Sequence, residues 1–328
     1  MNSENLEVYF LTNSNGTRLG ILNFGASIFS LFMKDKNGDE VNVIVGPKDK
    51  NEYISKAYTD ENKCFGASIG RYAGRISEGK FFLDGNLYKL YEKDGVHLHG
   101  GFRGIHHKIW KVESIDLGKN PSIVLSCVSE DGEEGYPGNL TIQVTYTLTE
   151  ENEVVIQYEA ETDKRTPVNL TNHAYYNLNG KGSVSNHDLF IASEAILEVD
   201  EKLRPTGKFQ LLKEDEKDFS AVKKINSILL DDTFIFKTGV KDEVVRLYST
   251  ETGIELKIFT NQAAAVVFVP PHLSQAWEYQ TEIGDSFPSL CVETQNFPDA
   301  PNHDNFPNSI LAPNERYRNK SIFQFNLR

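Results

Sequence analysis

Sulfur is scarce in this chain: three cysteines and two methionines among 328 residues. Cys64, Cys127 and Cys291 are odd in number, widely spaced and free of any C-x-x-C pair. That excludes a disulfide framework and a cysteine zinc ribbon, and it reads as reduced thiols in a cytoplasmic protein. Positive charge is also short, with 34 Lys and Arg against 47 Asp and Glu and a net charge of −13. No basic run exceeds Lys223-Lys224. A nucleic-acid partner needs a cationic face, so none is expected. An anionic sugar phosphate is disfavoured on the same ground. The longest strongly apolar run, Ala263 to Val269, is far too short to span a bilayer. The opening "MNSENLEVYFL" has neither a basic nor an apolar export region, so no secretion signal is expected. Pro/Gly/Ser linkers, internal repeats and composition breaks are absent as well, which predicts one domain over 1–328.

Strand patterning is abundant. Leu140, Ile142, Val144, Tyr146 and Leu148 alternate with Thr141, Gln143, Thr145 and Thr147, the period of a half-buried antiparallel strand. A turn at Thr149–Asn152 leads into Val154, Ile156, Tyr158 and Ala160. Residues 80–90, "KFFLDGNLYKL", predict a hairpin turning on Asp84-Gly85. Another is expected between Val244–Ser249 and Ile254–Phe259. Helical periodicity is confined to Glu214–Ile225, which a solvated loop explains as well. The expectation is an all-β protein, a large antiparallel β-sandwich of two packed sheets.

Its chemistry must then come from scattered polar clusters. "GRISEGKF" (Gly74–Phe81) fits a phosphate-loop pattern, but Phe81 stands where a Ser/Thr is needed and a hairpin follows in place of a helix. "VHLHGGFRGIHH" (Val96–His107) holds half of the eight histidines. On a strand, His97 and His99 would share a face, so a metal pair is geometrically open, although Phe102 and Arg103 occupy the places where a further carboxylate ligand is wanted. For His97, His106 and His107 a surface or packing role is expected. Gly100-Gly101 after His99 permits close backbone approach at a cavity edge. Glu293 follows Leu290, Cys291 and Val292, and a carboxylate in such a strand needs a partner or a function. If 229–236 is a strand, one of Asp231 and Asp232 faces inward and the other outward, with turn capping as the alternative. In "TNHAYYNL" (171–178), His173 is open to three readings: core residue, metal ligand or proton handler in a sugar site.

Taken together, the clusters resemble the aldose 1-epimerases (galactose mutarotases) in order and spacing along nearly the whole chain. The matching pieces are 70–90, 97–110, 131–148, 166–180, 197–209, 231–236 and 291–303. The resemblance implies a mutarotase-like supersandwich with few short helices and an open cleft for a neutral monosaccharide. It implies an isomerase that interconverts α and β anomers of a free aldose such as galactose or glucose, without cofactor or metal. By position, Glu293 matches the family's general base and His173 its general acid. Arg75, His99 and Asp231 match residues that hold sugar hydroxyls, and Phe268 is expected in an aromatic wall. Three departures bear on substrate contacts: Gly74 in place of a usual Asn, D-D-T-F (231–234) in place of D-H-x-F, and "AAAVVFV" (263–269) in place of a Gln-x-Tyr pattern.

Ring opening takes one proton from the anomeric oxygen and gives one to the ring oxygen, so a carboxylate and an imidazolium suffice. Ordinary values of about 6.5 for His and about 4.3 for Glu leave a narrow window for that pair. A nearby carboxylate or carbonyl is therefore expected to support the His173 imidazolium. Tyr175 and Tyr176 are candidates to cover a pyranose, with at least one expected in the core, and Asn172 and Asn177 are candidates for hydroxyl contacts. The rival readings are a non-catalytic carbohydrate-binding sandwich, a glycoside hydrolase using Glu293 and Asp231, and a metal enzyme on His97 and His99. The preferred aldose and the choice between monomer and homodimer stay open.

Overall fold

The computed structural model describes residues 6–237 and 242–328. Strands dominate, and one α-helix, Lys56–Asp60, occurs among the described residues. The alternating segments form the centre of a nine-stranded sheet. Its order is Lys111–Asp116, Ser122–Ser129, Leu140–Leu148, Glu153–Thr162, Tyr317–Leu327, Ile254–Thr260, Val245–Tyr248, Asp188–Ile191 and Lys223–Lys224. A six-stranded sheet runs Tyr175–Tyr176, Leu290–Gln295, Ala264–Val269, Leu230–Ile235, Ala195–Val199 and Pro205–Leu211. One apolar core joins the two. Val144, Ile156, Leu256 and Phe323 from the large sheet cluster with Leu230, Phe234, Val267 and Val292 from the smaller one. This is the expected β-sandwich.

The predicted turns hold for the expected reason. Asp84 and Gly85 take φ of 52° and 77° between Lys80–Leu83 and Asn86–Lys89, the paired positive angles that match the twist of a tight hairpin. The 214–225 segment is turns and bends that end in the short edge strand Lys223–Lys224, not helix. The Asp215 and Asp218 carboxylates accept the backbone N–H groups of Lys217 and Ser220, at 2.8 and 3.0 Å, and so divert the amides a helix would need.

Period two decides what the six-stranded sheet presents. Leu230, Phe234, Val267, Leu290 and Val292 point into the core, so Asp231, Thr233, Val266, Phe268 and Glu293 point the other way. Register aligns Asp231 with Phe268 and Cys291, and Thr233 with Val266 and Glu293. Two adjacent rows of one sheet face thus carry three of the six candidate residues, Asp231, Phe268 and Glu293.

Arg71 ties the loops beside this face to the large sheet. Its guanidinium is 1% exposed and donates to the carbonyls of Ser129, Glu130, Pro137 and Gly138 and to the hydroxyls of Ser129 and Thr166, at 2.8–3.2 Å. Removing it orphans several buried acceptors at once. Arg71→Ala is expected to cost about 3–5 kcal/mol, read as a lower urea midpoint at unchanged m.

Candidate active site

Above the sheet face lies a cavity of about 180 Å³. Its floor is Asp231, Thr233, Val266, Phe268 and Glu293, and its walls include Arg75, His99, His173, Leu203 and Pro298. Each polar group is held by backbone geometry. His173 sits between the short strands Thr171–Asn172 and Tyr175–Tyr176. Its N–H donates to Ala67 O at 2.9 Å and its carbonyl accepts from Gly66 N at 3.0 Å. Its ring stacks on Tyr175 with centroids 5.0 Å apart and lies edge-on to Phe268 at 6.4 Å. Nε2 is 3.4 Å from Glu293 Oε1.

His99 takes a φ of 54° just after the strand Val96–Leu98. Gly100 follows, where a Cβ would stand 1.9 Å from the Gly70 carbonyl oxygen, so the close approach expected there is real. The Gly74 N–H donates to His99 Nδ1 at 3.3 Å, which leaves Nε2 to carry the proton of the neutral ring. Arg75 begins the strand Arg75–Ser77 and reaches across to Asp231, Nη2 to Oδ2 at 3.3 Å.

Burial controls the charges. Glu293 is 2% exposed, and desolvation pushes its carboxyl well above the ordinary range. The Asp231 charge adds to that rise and Arg75 opposes it. Burial pushes the His173 imidazole down to about 4, with only its own backbone carbonyl pulling upward. His99 is likewise driven well below its usual value by burial, then by the neighbouring His173 and Arg75 charges. In the protein alone, Glu293 and His173 therefore favour the uncharged forms, carboxylic acid beside imidazole. The expected support for an imidazolium is present in kind, since Glu293 and a carbonyl are both there, but it does not overcome desolvation. One ligand-capable atom from each of His99, His173 and Glu293 lies within 4.8 Å of the others, a set able to hold a divalent ion.

A family model described as aldose 1-epimerase matches residues 7–324. The chain is 35% identical to the galactose mutarotase of Sus scrofa over 332 residues, covering 97% of this chain and 94% of that one. It is 31% identical to the aldose 1-epimerase of Escherichia coli K12 over 332 residues, covering 96% and 94%. Among solved structures, it resembles the GalM/aldose epimerase homologue from C. elegans with a TM-score of 0.89 at 27% identity, over 98% of this chain and 99% of that one. Galactose 1-epimerase from Lactobacillus acidophilus NCFM gives 0.85 at 26% identity, over 98% and 95%.

The chain belongs to the aldose 1-epimerase family.

It is thus an isomerase, and its sandwich is the one that galactose mutarotase structures share. Within this member of the aldose 1-epimerases, the six residues singled out from sequence (Glu293, His173, Arg75, His99, Asp231 and Phe268) all line one cavity. Asp231 is the aspartate that faces it. Asp232 turns to the opposite side and pairs with Lys217 at 2.8 Å, and the segment is a strand and not a capped turn. The His97–His99 metal pair fails, because both His97 nitrogens are engaged, with Tyr91 O at 2.6 Å and Tyr136 Oη at 2.7 Å. His106 and His107 are buried packing residues.

Asn172 and Asn177 are not available for sugar hydroxyls. Asn172 donates to Gly66 O at 2.7 Å, and Asn177 donates to the carbonyls of Lys181, Gly182 and Pro288. Tyr176 packs on Phe323, and Tyr175 backs His173 without lining the cavity. The floor residues Thr233 and Val266 are not among the six singled out from sequence, although each lies two positions from one of them on the same strand face. Val199, Leu203, Pro205 and Pro298 had no such signal. At Gly74, φ is +79° and a Cβ would come within 2.8 Å of Pro298 Cγ, so Pro298 occupies the space a side chain would need.

Glu293 gives a stability prediction whose sign is fixed. A carboxyl with a raised folded pKa contributes fully below about pH 4.3 and loses that contribution as pH rises toward its folded value. Gln does not titrate. Glu293→Gln is therefore expected to melt above the wild type at pH 8, with the gap closing as pH falls toward 4.5. A gap independent of pH would contradict the buried, proton-retaining carboxyl.

Proposed function

We propose that this chain, read as a single domain over 1–328, is a mutarotase for a neutral free aldose, with Glu293 as general base and His173 as general acid. The observation that carries this reading is the pair itself: a carboxyl and an imidazole 3.4 Å apart, both lining a cavity with room for about one sugar ring. Glu293 Oε2 is buried with no hydrogen-bond partner. An anomeric hydroxyl donating to it stabilises the carboxylate and draws the shared proton toward His173.

Ring opening then moves the O1 proton to Glu293 while His173 protonates O5 and the C1–O5 bond breaks. The pair ends as carboxylic acid and neutral imidazole, the state that burial favours. After rotation about C1–C2, reclosure on the other face of the carbonyl runs the same transfers backwards. No net proton is exchanged with solvent. Neutral His99 supplies an Nε2–H donor, Arg75 and Asp231 supply a donor and an acceptor for hydroxyls, and Phe268 covers an apolar face. The relatives named for galactose make it the first sugar to try, with glucose beside it.

Single-proton occupancy of the pair sets the pH profile. Because burial lowers His173 to about 4 and raises Glu293, the pair keeps one proton over a broad range and not a narrow one. The profile of kcat/KM is expected to be a wide bell, with its acid limb near pH 4 and its alkaline limb at the raised value of the pair. A rate flat to both extremes would remove the pair from the mechanism.

The direct test follows optical rotation of freshly dissolved α-D-galactose and α-D-glucose against a spontaneous control. Wild type is expected to speed equilibration. Glu293→Gln and His173→Asn are each expected to lower kcat by about 10²–10⁴-fold. A chelator is expected to leave the wild-type rate unchanged. Binding without acceleration would instead favour the carbohydrate-binding sandwich, and a new reducing end released from an oligosaccharide would favour the hydrolase.

A further inference from the structure

Leu203 is in an unusual position. It adopts φ of +57°, a left-handed conformation that a γ-branched residue rarely takes, at the end of the turn joining Ala195–Val199 to Pro205–Leu211. The turn is built to hold it there. Asp200 Oδ1 accepts the Lys202 and Arg204 N–H groups at 2.9 and 3.0 Å, and Oδ2 accepts from Arg204 Nε at 2.8 Å. The Leu203 N–H donates to Asp200 O at 2.9 Å. Lys202 Nζ fastens the tip to the far bank of the cleft through Asp94 O at 2.8 Å. Yet the Leu203 side chain joins none of the hydrophobic clusters among the described residues. It lines the cavity, beside Val199 and Pro205. Strain kept without a packing return indicates a job at the site.

The order of the six-stranded sheet says which part of the sugar that job concerns. Glu293 lies on Leu290–Gln295. From there the cavity face steps through the Phe268 strand, the Asp231 strand and the Val199 strand to Pro205. At about 4.8 Å per step, the Val199 strand is about 14 Å from the carboxyl that works on C1. A pyranose with its C1–O5 edge between His173 and Glu293 spends the nearer part of that distance on its ring. What meets the hairpin is whatever C3 and C4, the atoms across the ring from that edge, carry.

The geometry points to Leu203 as a specificity-determining residue: an apolar stop that reads the non-anomeric end of the aldose and selects monosaccharides over sugars substituted at C4. This rests on the mutarotase reading and extends it to the class of substrate. Truncating the stop weakens the hold on a monosaccharide and admits a second ring.

Polarimetry on wild type, Leu203→Ala and Leu203→Gly with glucose, galactose and lactose tests this, since the reducing glucose of lactose carries galactose on O4. In Leu203→Ala, KM for glucose is expected to rise and the lactose-to-glucose ratio of kcat/KM to increase about tenfold, the scale of a lost apolar contact in a specificity pocket. Leu203→Gly is expected to shift the ratio at least as far while melting no lower than wild type, because glycine takes the left-handed conformation freely. Mutarotation of both monosaccharides by all three proteins with an unchanged ratio would overturn the role of Leu203 and leave the mutarotase reading intact. A wild type that accelerates neither monosaccharide would overturn both.

Discussion

Everything around the cleft depends on keeping a carboxyl group out of water. Glu293 sits in the strand Leu290–Gln295, every residue of which is buried, with Leu290 and Val292 just before it facing the core. A lone carboxylate there is untenable, so the site has to supply either a proton or compensating charge. It supplies both. His173 stands 3.4 Å away to share a proton, and Arg75 pulls the carboxyl back toward ionisation against the push of Asp231. The Arg75–Asp231 pair thus does more than line the cavity, because it places opposing charges beside the buried carboxyl.

The same chemistry used twice, close together in sequence, divides between structure and site. Arg71 and Arg75 are four residues apart. Arg71 is surrounded by carbonyls and hydroxyls and holds loops together, while Arg75 opens onto the cavity. Asp231 and Asp232 are adjacent, and strand alternation alone sends one to the cavity and the other to Lys217. In "TNHAYYNL" only His173 reaches the cavity, while the asparagines and tyrosines around it brace the backbone that aims it.

What could be read in the sequence follows from that division. Strands such as Leu140–Leu148 were legible because alternation is a local signal, and so was the Asp84-Gly85 turn, because positive φ is a local demand. The site residues, spread from Arg75 to Glu293, have no local signature, and only the resemblance to a family brought them together. Asn172 and Asn177 misled because an amide looks the same whether its partner is a ligand or a carbonyl. The order of the two proton affinities was out of reach as well. It comes from burial of both groups by strands and loops distant in sequence, and it reverses the order of the free side chains. Leu203 was invisible for a related reason: its meaning lies in its backbone angle and in the order of strands between it and Glu293.

An epimerase that interconverts two anomers of similar stability has no downhill direction to exploit, so its acid and base must be ready in both directions. A pair that holds one proton and no net charge meets that condition. In the proposed mechanism the ion-pair form opens the ring, the neutral form closes it, and neither needs solvent to restore it. Burial of Glu293 and His173 brings the two forms toward balance, because it penalises the charged form that a bound hydroxyl then favours. A more exposed carboxylate would sit firmly in the charged form and make reclosure the harder half. On this account the stability lost by burying Glu293 is what makes the two half-reactions comparable.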